Sequence, residues 1–356
     1  MPIASLGSLA QLVGQVLRFV LTPGALDGLP SARVVVDSSR REIVIELPPA
    51  DLPASTPGGT MAMALLPVYV AEIPTSGAIF RASVALVDGS GRELPRELLH
   101  HFNLTDPGRR ELFLPIALHL LAASKETPSL AVPRFAFGLP LRRGQRLITS
   151  AMLGNATPVA YHQVRVQLVL RYEPDDQVWP VFPGYPWVMD VLFPLGHPPG
   201  GSKAFDLPPG RSERSFESSP AVPGTIVGLG GHLHDYGASL EFADATTGEV
   251  LWRATLVRDS RGRLMSIPVA RFYNWHRVGV HIVPGHRYRV TAVYENPTGH
   301  VLRDGGMGAV GGLFVPDRGS SWPTVDPSDA VYQQDLAATV RADAGHGALT
   351  LMTHMH

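Results

Sequence analysis

Two pairs of imidazoles and one thioether are the groups in this 356-residue chain whose type and spacing could do chemistry. His232 and His234 lie in Gly228-Leu-Gly-Gly-His-Leu-His-Asp-Tyr-Gly237. Residues two apart on a strand face the same side, so both rings can reach one ion. The glycines before them remove side-chain bulk and permit a bulge or a close backbone approach. His100 and His101 form the second pair, in Leu98-Leu99-His-His-Phe102. Neighbours on a regular strand face opposite ways, so this pair serves one site only at a bulge, a bend or a strand end; otherwise one ring points in and the other out. Met307, in Asp304-Gly-Gly-Met-Gly308, opens an expected strand, where a thioether is either core packing or a soft metal ligand.

Composition narrows the metal question. With no Cys, disulfides, Fe–S clusters, thiolate zinc sites and a cysteine nucleophile are excluded, and imidazole, thioether and carboxylate remain. Thirty basic against 31 acidic side chains leave no electrostatic footprint for nucleic acid or an anionic membrane. No apolar run is long enough for a transmembrane helix. There is no phosphate-cradling loop, Gly-x-Ser-x-Gly elbow or His-Glu-x-x-His helix, so hydrolase and nucleotide readings have no support.

The remaining histidines read as background. His276, His281 and His286 are too widely spaced for one ion and suit a surface or strand-end set, His197 and His300 sit in loops, and Met352-Thr-His-Met-His356 is a terminal tract. Asp235 either orients a neighbouring imidazole or shapes a turn.

The elements that must position these residues are short β runs separated by turn chemistry. Leu6, Leu9, Val13, Val16, Leu17 and Val20 predict an amphipathic helix before them, within residues 1–30. Val164, Val166, Leu168 and Leu170 alternate with Gln163, Arg165, Gln167 and Val169, as in a half-buried strand. Further strands are expected at 32–37, 42–47, 61–73, 82–87, 111–121, 134–139 and 146–152, and in the second half at 187–193, 225–229, 239–243, 250–257, 264–269, 286–295 and 308–315. The Pro-rich stretch 198–223 reads as a surface connection. A polar, Pro-containing segment after Glu173 marks a boundary. The expected organisation is all-β: two tandem antiparallel, jelly-roll-like β-sandwich domains at 31–176 and 177–320, then a loose tail over 321–356 with a short helix near Tyr332–Arg341.

In this setting the order His-His, His-x-His, Met resembles the copper type II, ascorbate-dependent monooxygenases, the family of peptidylglycine α-hydroxylating monooxygenase and dopamine β-monooxygenase. The resemblance spans roughly residues 60–316. It implies two jelly-roll domains, each supplying the ligands of one copper. It implies that His232, His234 and Met307 form the catalytic, oxygen-activating copper site, and that His100 and His101 belong to a second copper that stores and delivers an electron, with ascorbate or another one-electron reductant as the source. The family's third first-domain histidine falls where this chain has Arg171. His162, at the start of the same strand, and His119 are the substitutes at hand. Gly230 replaces the arginine with which peptide-hydroxylating members hold a substrate carboxylate, so glycyl peptides are not the expected substrate.

Three functions stay open on these grounds. The first is a copper monooxygenase using O2 to hydroxylate a small molecule. The second is a noncatalytic, mononuclear copper protein, and the third a metal-free β-sandwich module. Copper handling favours a periplasmic or exported setting, without a recognisable leader in the sequence.

Overall fold

A computed structural model describes residues 26–56, 61–124, 129–176, 182–192, 204–260, 264–272 and 278–341. The helix expected before residue 30, His197, His276 and the terminal His/Met tract lie outside the described residues. The fold is all-β, with a single described α-helix at Ala330–Arg341.

Alternation in the sequence becomes sidedness in the sheets. Val164, Val166, Leu168 and Leu170 are all buried on one face of the strand Tyr161–Glu173. That strand lies between Glu42–Glu46 and Gly77–Val87, which supply Ile43, Ile45, Ala82, Val84 and Leu86 to the same core. Each such side chain contributes about 1.5–3 kcal/mol through burial. The other sheet of this half runs Ala62–Leu65, Arg146–Asn155, Leu99–Arg110, Ala117–Ala123, with Tyr69–Glu72 also paired to Arg146–Asn155. In the second half, Tyr185–Asp190, Gly308–Pro316 and Gly224–Leu233 form one sheet, and Gly210–Ser218, Tyr288–Asn296, Gly237–Asp244 and Glu249–Arg253 another.

Three local expectations change. The run 61–73 is two strands, not one, because Pro67 interrupts it without an N–H to donate. Within the expected connection 198–223, the polar segment Gly210–Ser218 is an edge strand paired along its whole length with Tyr288–Asn296. Polar residues on both faces suit an edge, where water reaches the side chains. The C-terminal segment is docked as far as Arg341: Trp322 donates its indole N–H to the Arg110 carbonyl, and Tyr332 its hydroxyl to that of Pro107.

The two halves share an apolar core through Phe113, whose ring lies 5.1 Å from Trp187 and 6.1 Å from both Phe242 and Tyr288. Beside it the fully buried Glu111 accepts hydrogen bonds from the backbone N–H groups of His119 and Val188 (2.8 and 3.3 Å), one from each half.

Candidate metal centre

The second-half site is built on two facing antiparallel strands. Leu233 pairs with Gly308 and His232 with Ala309. Leu233, Gly308 and Val310 are buried together, which puts His232 and its partner Ala309 on the other face; His234 directly follows the first strand and Met307 directly precedes the second. His232 is exposed, while His234 and Met307 are half-buried.

One residue fastens this arrangement. The Tyr294 hydroxyl accepts hydrogen bonds from the backbone N–H groups of His234 (3.0 Å) and Met307 (2.9 Å), and donates its proton to the Met307 carbonyl. Tyr294 comes from the opposite sheet and is 1% exposed. Burial pushes its phenol pKa up against those backbone bonds, which keeps the hydroxyl protonated and able to donate. Sequence reading missed it. The available signal was a phenol on the buried face of the alternating strand Tyr288–Asn296, where a hydroxyl needs a partner.

The two imidazole rings lie close together. Their centroids are 5.3 Å apart with planes at 87°. With metal–nitrogen bonds of about 2.0–2.1 Å, two imidazoles at a tetrahedral angle have ring centres roughly 5 Å apart. Burial pushes the His234 imidazole below its ordinary pKa, opposed by hydrogen bonding to the backbone at Asp304 and Gly305 and by the charge of Asp235. The neutral ring is the metal-binding form. Asp235 itself accepts the Leu264 N–H at 3.1 Å, a tether to the short strand Leu264–Ser266. Gly231 meets the expectation of close backbone approach: a Cβ there would run into Leu240 and stand 3.0 Å from the Ala309 carbonyl oxygen.

The first-half pair also comes together, through a bulge. In the ladder between Leu99–Arg110 and Arg146–Asn155, Met152 pairs with His101 and Leu153 with Leu99, leaving His100 as the extra residue. Adjacent histidines thereby avoid opposite faces, and their ring centroids lie 4.3 Å apart.

The other first-half candidates stay apart. His162 is largely exposed, with its Nδ1 3.6 Å from Asp51. His119 sits opposite Thr105, four residues beyond His101 and so roughly 13 Å along the strand, with its Nδ1 3.3 Å from Glu111. Arg171 forms an ion pair with Glu42 at 2.9 Å. Of the outlying histidines, His281 pairs with Asp317 at 3.0 Å and His286 with Asp244 at 2.6 Å. Among the described residues no three His, Asp or Glu side chains gather as metal ligands. Any trio must include a different donor, and thioether fits beside two imidazoles for copper, whose Cu(I) state favours soft sulfur.

No protein-family model matches the chain, and no curated protein does. Among solved structures, the chain is similar to one from Sulfolobus turreted icosahedral virus, with a TM-score of 0.32, 11% identity, and coverage of 85% of this chain and 98% of that one. PNGF-II gives a TM-score of 0.28 at 10% identity, covering 83% of this chain and 63% of its own. A Sputnik virophage chain gives 0.25 at 8%, covering 90% and 95%. Likeness of this degree carries no argument about what the chain binds.

Proposed function

We propose that this protein is a copper-binding, monooxygenase-like protein that holds copper with His232, His234 and Met307 and uses O2 to hydroxylate a small molecule. The observation that carries the reading is the Tyr294 hydroxyl, which holds the backbones of His234 and Met307 together, with the second imidazole, His232, 5.3 Å from the first. Met307 lies between the strands Leu302–Gly306 and Gly308–Pro316, and Tyr294 satisfies both its N–H and its C=O there, which fixes where its side chain departs.

Copper bound there would supply one-electron redox chemistry and activation of O2 at an open coordination position. The chain's own residues do the rest. Met307 contributes a soft donor that favours the reduced ion, and His234, kept neutral by burial, presents nitrogen without losing a proton. His232, exposed at the outer side, leaves the site open to solvent and to a small substrate. Hydrophobic contacts of Leu233 and Val310 beneath the ligands keep the strand pair aligned.

Copper stoichiometry after anaerobic Cu(I) reconstitution tests the reading. His234→Ala and Met307→Leu should each lower bound copper by one per chain. Unchanged copper in both variants would overturn the site. Ascorbate-driven O2 uptake, lost in the same variants, tests activity; copper binding without such uptake would favour the noncatalytic copper protein instead.

A further inference from the structure

Beside the His100–His101 pair, two methionines converge. The strand Ala62–Leu65 lies on the opposite side of Arg146–Asn155 from the histidine strand, with Met63 facing Gly154 in register. An ideal Cβ on Gly154 would stand 2.5 Å from Met61 Sδ, 3.3 Å from Met63 Sδ and 3.6 Å from His100 Cδ2. Two thioether sulfurs and an imidazole edge therefore meet over one glycine, and the His101 ring lies 4.3 Å from that of His100. Glycine is what lets side chains from the two outer strands touch across the middle one: any side chain at 154 would fill the space the sulfurs occupy.

We propose that His100, His101, Met61 and Met63 form a second Cu(I) site, in which thioether replaces the third histidine that the chain lacks there. Three observations carry it. Met61 and Met63 are two apart at a strand end and bring their sulfurs to one place, as His232 and His234 do with imidazoles. The bulge keeps the two rings of a His-His dipeptide 4.3 Å apart, with the His100 ring the one that reaches Gly154. Met61 is 39% exposed, so the cluster lies at the surface and not in a sealed core. Two imidazoles and two thioethers make a soft, neutral donor set, which suits Cu(I) over Cu(II) or Zn(II). This site rests on the reading of the protein as a copper protein, yet its ligands share nothing with the second-half centre.

The test uses the full chain in a His234→Ala background, where the second-half site is disabled, reconstituted with Cu(I) alone. One copper per chain should remain, and X-ray absorption should show sulfur in its coordination shell. Adding Met61→Leu and Met63→Leu, which conserve volume, should weaken Cu(I) binding at least tenfold and remove the sulfur signal, while thermal unfolding stays close to that of the parent. Gly154→Ala, which alters no ligand, should weaken it too by intruding on the sulfurs. Copper without sulfur scattering in the His234→Ala protein would overturn the proposal, as would a Met61/Met63 variant that binds like its parent. Failure of the copper-protein reading looks different: His234→Ala would then leave the wild-type copper content untouched.

Discussion

The two imidazole pairs reach similar ring spacings by opposite routes. His232 and His234 come together through the two-residue spacing at a strand end, and Met307, the proposed third ligand, directly precedes the neighbouring strand Gly308–Pro316. His100 and His101 are brought together by breaking that period, through one extra residue in the ladder. The first route depends on the alignment of separate strands, so it needs a fastening, and Tyr294 provides it from the facing sheet. The second route is local to one bulge, and its further donors lie across Gly154 from an adjacent strand. A site made by register should fail when the fastening is cut, and a site made by a bulge should not notice.

Tyr294→Phe is the strongest way to break that contrast. It keeps the buried ring but removes the acceptor for two backbone N–H groups and the donor to one carbonyl. Leaving such groups unsatisfied costs about 1–3 kcal/mol. Loss of an outer partner of this kind lowers metal affinity by about 10–100-fold. Chemical denaturation and Cu(I) competition titration should show both effects, with the second-half copper weakened and the His100–His101 copper unchanged. Equal weakening of both coppers would show that Tyr294 supports the whole fold rather than one site.

Gly231→Ala probes the same half more gently. The added methyl meets Leu240, which can move, and the Ala309 carbonyl, which is fixed in the ladder. Overpacking of this sort costs about 1–3 kcal/mol. Thermal unfolding should fall, and second-half copper affinity should fall less than in Tyr294→Phe, because the hydrogen bonds to His234 and Met307 persist. A larger affinity loss than in Tyr294→Phe would move the fastening from the hydroxyl to the close approach of the sheets.

Much of this was legible before the fold. The period of Val164–Leu170 became a one-sided buried strand, and the His-x-His motif became two rings lying close together. The bulge at His100 was one of the conditions under which a His-His pair could act together, but nothing in Leu98–Phe102 selects it, because it is set by how Arg146–Asn155 pairs. The strand Leu99–Arg110 itself was hidden by Asp106-Pro107-Gly108, turn residues that here form an irregularity inside the strand, whose pairing resumes at Arg110. Tyr294 and the Met61–Met63 cluster were illegible for a shared reason. Each acts on residues far away in sequence, and a lone phenol or a Met in an apolar run carries no mark of its distant partner.

Acid should act unevenly as well. Burial opposes ionisation of Asp244, but His286 and the Thr246 and Thr247 N–H groups outweigh it and hold its carboxyl below the ordinary carboxylate range. A lowered pKa means the stabilisation is fully present above the unfolded-state value and is lost as pH falls through the folded one. Stability of the protein should therefore drop on acidification below the usual carboxylate range, and Asp244→Asn should flatten that drop while lowering stability at neutral pH. An unaltered pH profile in Asp244→Asn would remove this pair from the acid response.

The smallest effect expected is also the sharpest test of the bulge-built site. Arg171→His places an imidazole where the resembling family has its third first-domain ligand. Here, however, residue 171 lies in Tyr161–Glu173, opposite Arg81 and Glu42, in the sheet that faces the histidine strand across the core. Its guanidinium reaches Glu42 at 2.9 Å, a half-exposed ion pair worth about 1 kcal/mol or less. The variant should lose about that much stability and bind the same number of coppers with the same affinity. A gain in first-half affinity, with added imidazole in the absorption spectrum, would mean that a third histidine can reach His100 and His101 from that strand, and that the thioethers over Gly154 are packing.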